Sequence, residues 1–382
     1  MDQSTNAPAL HDGYAKMTPL CTASLQESFD PSRQLFSRQL LDGRWCAVDD
    51  VYPHETLTST SIALLGIARA GFDPADHGID VGRCIKAIAG EIRRTDYLGG
   101  TGLALWANAV SGNSWSATHL LGEVGLDLEA FIDRVLPTLT TMEVAWAASG
   151  LLHELHRCGD GRVRDAAKAC VAELVTLRFS ARTGLMNHAG RQASPSHRAR
   201  SHIANFADQI YSVQALAFAS LAVGDQTALA IATRLADTHV SLQGDLGQWW
   251  WHFNARRGVV ALRYSVYSVH QHGMAPMALL ALQRAGGPDH SAAIERSVGW
   301  IDHNESGESM IDQSLSTIWR NLDPASPGPL APLRGIAETV GRSDGRTPDA
   351  VRVNRETRPY EWAWCLYAAA MHGPAESGSA LA

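Results

Sequence analysis

The chain has 382 residues and a formal net charge of −7; 45% of the residues are hydrophobic and only 19% are charged. This acidic balance argues against a nucleic-acid partner, and no apolar run approaches the roughly 18 residues of a membrane span. The first residues lack the basic and apolar regions of a secretory signal. The six cysteines are scattered without a C-x-x-C pair. We therefore expect a cytoplasmic protein with free thiols and no membrane span.

Helical periodicity dominates the chain, whereas the alternating pattern of strands is nearly absent. Residues 1–30 are expected to form a partly disordered N-terminal arm and residues 373–382 a disordered tail. Between them, the starts and stops of the pattern predict helices near residues 55–70, 81–95, 100–111, 127–138, 141–157, 162–179, 203–222, 225–241, 273–285, 289–302, 328–341 and 359–371.

Two segments between the helices differ from the rest of the chain. Residues 248–267 alternate moderately around the turn NARRG, which predicts a short β-hairpin. Residues 183–202 are polar, rich in Arg and His and without periodicity. That composition is typical of a functional lid or a disordered loop.

The predicted helices are of two alternating kinds. Those near 100–111 and 203–222 are apolar all round, whereas those near 81–95 and 225–241 carry a charged face. A helix that is apolar all round is buried, and a helix with a polar stripe lies at the surface. Six buried helices that mostly alternate with surface helices predict two concentric rings, an all-α (α/α)6 toroid, in one domain over residues 31–372.

The outer ring needs one more helix, which a segment near 31–41 or near 328–341 would supply. The competing architecture is an open helical solenoid, which also repeats helix pairs of this length. The chain has no cleanly repeating motif and its connections vary greatly in length. These two features favour the closed toroid.

Two short segments carry a family resemblance. Gln39–Trp45 has the form Q-x-x-D-G-x-W, and Gln243–Trp249 keeps the same Gln-to-Trp spacing. They resemble the QW repeat of squalene cyclases and prenyltransferase-repeat proteins, in which the Gln and Trp tie successive helices of an (α/α) barrel. The resemblance implies this fold and an isoprenoid cyclase or related lyase. The family's acid motif, D-x-D-D, is broken here at Asn205–Asp208, so that only Asp208 corresponds.

In a toroid, the loops that lead into the inner helices gather around one mouth of the central cavity. Here they carry acids, histidines and aromatics, the usual composition of an active site. The candidate catalytic residues are Asp49, Asp50, Glu143, Asp208 and His270. The candidate substrate-binding residues are Tyr52, His54, Trp106, Trp146, Tyr211, Trp249, Trp250, Trp251, Tyr267, His272, Arg355, Glu356, Tyr360 and Trp362. Acids in a first helical turn can instead be caps, an alternative that stays open for Asp49, Asp50 and Glu143.

Two chemistries suit such a cavity. The first is an isoprenoid cyclase in which Asp208, or the pair Asp49 and Asp50, supplies a proton, His270 acts as the base, and aromatic faces stabilise carbocations. The alternative is a sugar epimerase, glycan lyase or glycoside hydrolase that stacks sugars on the same faces and uses Glu143, Asp208 and His270 as acid and base. A second alternative, a non-catalytic binding scaffold, would need an exposed, charged concave face.

The expected partner is a small-molecule substrate, and no cofactor is predicted. His270 and His272 are the best candidates for metal ligands by their spacing. A metal site normally needs three or four ligands, so a third would have to come from elsewhere in the chain, such as Asp208.

Overall fold

Helices form the frame of the computed structural model, which describes residues 7–41, 43–46, 53–325, 348, 350–373 and 381. The α-helices run over Ala7–Ser28 (α1), Pro53–Arg69 (α2), Val81–Thr95 (α3), Gly100–Val110 (α4), Ala117–Val124 (α5), Leu128–Ala130 (α6), Thr141–Cys158 (α7), Gly161–Ala172 (α8), Pro195–Ala199 (α9), Phe206–Val223 (α10), Gln226–Ser241 (α11), Ala275–Arg284 (α12), Ser291–Gly299 (α13) and Pro359–His372 (α14). Turns of π-helix cover Phe131–Val135, Glu173–Arg178 and His270–Met274, and turns of 3-10 helix cover Pro74–His77 and Leu136–Thr138.

Short strands connect the helices. They are Phe29–Asp30 (β1), Leu35–Phe36 (β2), Leu40–Leu41 (β3), Arg44–Trp45 (β4), Phe179–Ser180 (β5), Leu185–Met186 (β6), Ile203–Asn205 (β7), His252–Asn254 (β8), Val259–Leu262 (β9), Val266–Tyr267 (β10), Ile311–Asp312 (β11), Thr317–Ile318 (β12), Asn321–Pro324 (β13), Val351–Asn354 (β14) and Glu356–Thr357 (β15). The described pairs are antiparallel and form two- or three-stranded sheets.

Six of the described helices close a ring. Along the chain α2, α4, α7, α10, α12 and α14 each pack against the next, and α14 packs back on α2. Six others, α1, α3, α5, α8, α11 and α13, pack against the outside of this ring. The architecture is the predicted (α/α)6 toroid.

The two rings follow from the side chains of their helices. In the inner helix α10, the residues Phe206–Ser220 are buried on every face. In the outer helix α3 the buried side chains, such as Ile85, Ile88 and Ile92, recur at intervals of three or four and form one stripe. Such a stripe is what a surface helix presents to a core. In the described part of the chain, α10 is the one helix long and apolar enough to cross a membrane by composition, and 83% of it is buried inside the protein.

The missing outer helix comes from the segment expected to be an N-terminal arm. Residues 7–28 of that segment form α1, which packs against α13 and α14. The Tyr14 hydroxyl donates a 2.8 Å hydrogen bond to the backbone oxygen of His272. The expectation of a partly disordered arm is therefore wrong for these residues.

The helix predicted near 31–41 is also wrong, because this segment forms the strands β2 and β3 and the turns beside them. Pro31 opens the turn that follows β1, and the Asp30 carboxylate accepts hydrogen bonds from the N–H groups of Ser32 and Arg33. An Asp that bonds the backbone two and three residues on favours a turn over a helix. The alternative outer helix near 328–341 and most of the predicted tail at 373–382 lie outside the described residues.

The predicted hairpin at 248–267 is confirmed as β8 and β9, and β7 pairs with the other edge of β8. The last residues of the predicted segment differ, because β10 joins β13 in a separate sheet. The helix predicted at 203–222 accordingly starts later, at Phe206. The helix predicted at 127–138 is divided into α6, a π turn and a 3-10 turn.

Acid is expected to destabilise the fold through His239 of α11. Its imidazole packs against Phe253 and Phe206, finds no hydrogen-bond partner in the described structure, and burial lowers its pKa to about 3. Between about pH 6.5 and pH 3 the unfolded chain binds a proton on His239 that the folded chain does not bind, so stability falls as the pH falls. The expected slope from this residue is up to about 1.4 kcal/mol per pH unit.

Urea unfolding at a series of pH values checks this expectation. The wild type should lose stability more steeply in this range than His239→Leu, which cannot bind the proton. Parallel pH profiles for the two proteins would contradict it.

Candidate active site

A cavity of about 230 Å³ opens at the N-terminal ends of the inner helices. Because each outer helix returns the chain to the same side of the toroid, the first turns of the inner helices and the loops before them meet there. The residues that line the cavity are Thr58, Ile62, Tyr97, Met142, Trp146, Ala207, Tyr211, Trp251, Tyr267, Val269, His270, Met274, Arg320, Tyr360 and Trp364. The site is thus assembled from segments spread over most of the chain.

The wall of the cavity is aromatic and carries few charges. Burial raises the pKa of the phenols of Tyr97, Tyr211, Tyr267 and Tyr360, so these side chains are protonated and can donate hydrogen bonds near neutral pH. Among the described lining residues none is a carboxylate. The cavity therefore offers flat apolar faces and hydroxyl donors.

His270 is the one imidazole among the described lining residues. It is stacked between Phe206 and Trp251, with ring centroids 4.2 and 5.2 Å away. Burial lowers its pKa well below the ordinary value, so the ring is neutral and can accept a proton. Its Nδ1 atom is buried and has no hydrogen-bond partner among the described residues.

Arg320 is the cation of the described cavity wall. Its guanidinium lies over the ring of Tyr267, 5.4 Å from the centroid, and its Nη1 is 3.0 Å from the Glu356 carboxylate. Burial opposes its charge, but the nearby groups, including Glu356, raise its pKa overall. Its Nε is buried and finds no hydrogen-bond partner in the described part of the structure, which leaves a donor for a bound oxygen atom.

Asp208, a predicted catalytic acid, lies behind the wall. Its carboxylate accepts the N–H of Asn205 at 2.9 Å and the N–H of Met142 at 3.0 Å. It also bonds Nδ1 of His188 at 2.8 Å. The side chain is fully buried and joins the starts of α7 and α10, so the structure places it as a helix cap.

Glu143, another predicted catalytic acid, has a similar place at the start of α7. It forms a capping box with Thr140, whose N–H and hydroxyl lie 2.8 and 2.7 Å from the carboxylate. Burial and then the nearby charge of this carboxylate raise the pKa of the Tyr97 phenol. His54 stacks on the other side of Tyr97, with the centroids 4.2 Å apart. Glu143 and His54 therefore support a lining residue without being in the lining.

The structure divides the predicted substrate-binding residues into two groups. Those that line the cavity are Trp146, Tyr211, Trp251, Tyr267 and Tyr360. Those that do not line it are His54, Trp106, Trp249, Trp250, His272, Arg355, Glu356 and Trp362. The predicted residues Asp49, Asp50 and Tyr52 lie outside the described residues.

The residues away from the cavity have structural contacts. Trp106 packs against Trp364 and Tyr367 in the core, and Trp362 meets the edge of Trp45, the last residue of the first QW-like segment. The exposed Arg355 is 3.5 Å from Glu308.

Only the third of the three consecutive tryptophans reaches the cavity. The backbone N–H of Trp249 bonds Gln271, and the indole N–H of Trp250 bonds the backbone oxygen of Leu242. In the second QW-like segment, Gln243 donates to the backbone oxygen of Ala293 at 2.9 Å. That contact ties the end of α11 to α13, which is the helix-tying role that the resemblance implies.

His270 and His272 have different surroundings. His272 is fully buried and its Nε2 is 3.7 Å from the Glu361 carboxylate, away from the cavity lining. In the described part of the chain, no group of three or more His, Cys, Asp or Glu side chains could hold a metal ion.

Comparisons with known proteins locate the fold. No protein-family model matches the chain, and no curated protein matches it. A solved unsaturated glucuronyl hydrolase specific for heparin is 12% identical, with a TM-score of 0.60 over 95% of this chain and 96% of that chain. A sugar epimerase from a ruminal bacterium is 10% identical, with a TM-score of 0.60 over 96% of this chain and 100% of that chain.

A polysaccharide lyase is also similar, at 11% identity and a TM-score of 0.54 over 96% of this chain and 97% of that chain. At such identities the similarity is one of fold, and it confirms the (α/α)6 toroid. The squalene-cyclase resemblance is thus supported only as far as this helical architecture.

Several lining residues were missed by the sequence analysis. Tyr97 precedes α4 in a loop without a motif, and Arg320 lies between two short strands far along the chain. Trp364 lies among apolar residues of α14, which favours a core position; it does pack on Trp106, but it also lines the cavity. The π turn at His270–Met274 is the local feature that marks this part of the site. Such turns are frequent at functional sites.

Proposed function

We propose that the protein is a carbohydrate-active enzyme that moves a proton at a carbon atom of a sugar, with His270 as the base. The observation that carries the proposal is the neutral imidazole of His270, stacked in the wall of an aromatic cavity with a free Nδ1. The fold is shared with a sugar epimerase and a polysaccharide lyase, which supports the carbohydrate alternative over the isoprenoid cyclase.

The aromatic wall would bind the sugar. Rings such as Trp251 and Tyr267 offer apolar faces for the C–H side of a pyranose, and the protonated phenols offer donors to its oxygen atoms. A cyclase of the squalene type needs a strong acid in its cavity, and the described lining contains no carboxylate. Glycoside hydrolysis uses two carboxylates, one as acid and one as base or nucleophile. The described lining residues include neither.

The reaction would begin when His270 takes the proton from the carbon next to a carbonyl or carboxyl group of the sugar. The electron pair of the broken C–H bond moves to the carbonyl carbon, and negative charge develops on its oxygen. Arg320, with its unpartnered Nε, is the group that would stabilise this charge. Addition of a proton from water to the opposite face, with loss of the first proton from His270 to water, gives an epimer. Departure of an oxygen substituent from the next carbon, protonated by the His270 imidazolium as its C–O bond breaks, gives an unsaturated sugar.

Incubation in D2O tests the proposal with panels of reducing sugars and of uronic oligosaccharides. Mass spectrometry should show deuterium at the carbon next to the carbonyl for an epimerase, and NMR should show a new vinylic proton for a lyase. The variant His270→Gln should lose about a hundredfold in rate, the loss expected when a general base is removed.

The matched control is His119→Gln, because His119 is an exposed imidazole at the surface, in α5. It should retain the wild-type rate, and circular dichroism of both variants should show an intact fold. Turnover of prenyl diphosphates without exchange into any sugar would overturn the proposal, as would full activity in His270→Gln.

A further inference from the structure

The loop between β6 and β7, residues 187–202, borders the cavity mouth and is called the rim loop here. It is attached to the starts of two inner helices that line the cavity. The N–H of Thr141 in α7 bonds the backbone oxygen of His188 at 2.8 Å, and the side chain of His188 bonds Asp208 in α10. Met142 and Ala207, the neighbours of these two anchor residues, line the cavity.

His188 presents a buried donor that nothing in the described protein uses. The residue is 5% exposed, and its Nδ1 is 2.8 Å from the Asp208 carboxylate. Its Nε2, on the far side of the ring, is buried without a hydrogen-bond partner among the described residues. Burial opposes protonation of the ring, but the charge of Asp208 outweighs it and raises the pKa of His188.

Other basic side chains gather around His188 from separate elements. His197 of α9 packs on its ring, with the centroids 5.1 Å apart. His252 lies in β8, where it pairs with Asn205 and is therefore close to Asp208. Arg200 is exposed at the end of α9, and its positive charge acts on all three rings. Burial and the charge of His188 lower the pKa of His197, and Arg200 lowers it further. Burial and then Arg200 lower the pKa of His252, and Arg200 also opposes protonation of His188.

The cluster has more donors than acceptors. Asp208 already accepts two backbone N–H groups besides His188, and Arg200 forms no ion pair in the described part of the chain. The Nε2 of His188 has no acceptor among the described residues, His197 packs on the same ring, and the charge of Arg200 acts on both. Imidazole and guanidinium donors gathered in this way fit an anion with several oxygen atoms. The site faces solvent on one side through Arg200, so a substituent of a large substrate could reach it.

We propose that His188, His197, His252 and Arg200 bind a tetrahedral oxyanion, a sulfate or phosphate group, at the rim of the cavity. As a substrate subsite, this inference rests on the proposed function, because the group would be an ester on the sugar in the cavity. His188 is its fixed donor, held by Asp208, and Arg200 is the group that supplies the charge. The subsite would select a sulfated or phosphorylated sugar over a neutral one.

Titration followed by NMR of the imidazole resonances tests the subsite without any assay of activity. Sodium sulfate and inorganic phosphate are added in separate arms at constant ionic strength, with sodium chloride and sodium acetate as reference arms. The resonances of His188, His197 and His252 should shift with saturation in one of the two oxyanion arms, and the arm with the tighter binding identifies the group. The resonance of the distant His119 should not shift.

Two matched variants locate the binding. Arg200→Gln removes an exposed charge, which leaves the fold intact, and should weaken oxyanion binding about tenfold, the usual loss for a charge-assisted contact. Arg198→Gln removes a charge from the exposed side of the same short helix and should change the affinity less than twofold. His188→Gln should weaken binding at least as much as Arg200→Gln.

The outcomes separate this inference from the proposed function. Equal weakening by Arg200→Gln and Arg198→Gln, binding of acetate as tight as that of the oxyanions, or no saturable shift would overturn the subsite. His270→Gln should bind the oxyanion as the wild type does, because His270 is not one of the four residues proposed to bind the anion. If the protein binds the oxyanion in the titration but shows no deuterium exchange into any sugar, the subsite is supported and the proposed enzyme activity is rejected.

Discussion

Replacing Asp208 with alanine is expected to lower the free energy of unfolding by about 3–5 kcal/mol, since each buried donor left without a partner costs about 1–3 kcal/mol. Three donors lose their acceptor in this variant: the N–H groups of Asn205 and Met142 and the imidazole of His188. Because these donors belong to the starts of α7 and α10 and to the rim loop, the loss is shared by three elements. Urea unfolding followed by circular dichroism measures it.

The matched control for this prediction is Asp127→Ala. Asp127 also caps a helix, but its carboxylate is exposed and accepts only the N–H of Ala130. Its replacement should cost about 1 kcal/mol, the usual value of an N-cap. If Asp208→Ala lost no more stability than Asp127→Ala but abolished turnover of a sugar or a prenyl diphosphate, Asp208 would be a catalytic acid, as the sequence predicts.

Gly66→Ala is expected to cost about 3 kcal/mol, the upper part of the range for overpacking in a core. An added Cβ at Gly66 would lie 2.3 Å from the backbone oxygen of Ala363 and 2.7 Å from its Cα. These atoms belong to the backbone of α14, so no side-chain rotation can relieve the contact. The seam between α2 and α14 closes the inner ring, and separating the two helices there would loosen the whole toroid.

Gly90→Ala is the control for this substitution. Gly90 lies in the outer helix α3, and an added Cβ there meets nothing within 4 Å. Alanine is the better helix former by about 0.5–1 kcal/mol, so this variant should be more stable than the wild type. If thermal and urea unfolding placed Gly66→Ala at or above the stability of Gly90→Ala, the close packing of α2 on α14 would be refuted.

Much of the toroid could be predicted because the relevant signal is local. A helix such as α10 is apolar on every face, and only a position inside the ring of helices buries all of its faces. The failures occur where local signals are ambiguous. Residues 7–28 do carry apolar side chains at helical spacing, Tyr14, Met17, Cys21 and Leu25, and these are buried. The local signal is ambiguous because Pro19 lies inside the segment, a residue that disfavours a helix interior, and α13 and α14 offer the surface against which α1 packs.

The candidate site could be predicted only in part. His270 and some of the predicted aromatic residues do line the cavity, because residues of these types cluster at the starts of the inner helices; their catalytic and binding roles stay predictions. Asp208 and Glu143 were also found, but capping and catalysis require the same residue type at the same position of a helix. The three-dimensional partners of Asp208, which come from residues 142, 188 and 205, show the capping contacts, and its catalytic role stays a prediction.

The tryptophans show which features of this protein follow from the sequence and which depend on the tertiary structure. Composition and periodicity alone predict a ring of buried helices with an aromatic cavity, because burial of apolar side chains depends on residue type and spacing. Which side chains face the cavity is decided by the tertiary structure: Trp249, Trp250 and Trp251 are consecutive, yet only Trp251 lines it. The orientation of each side chain depends on contacts with distant segments, such as those of Trp249 with Gln271 and of Trp250 with Leu242. Arg320 and His270 likewise come to the same cavity through the pairing of β10 with β13, two segments far apart in the chain, which no local pattern can express.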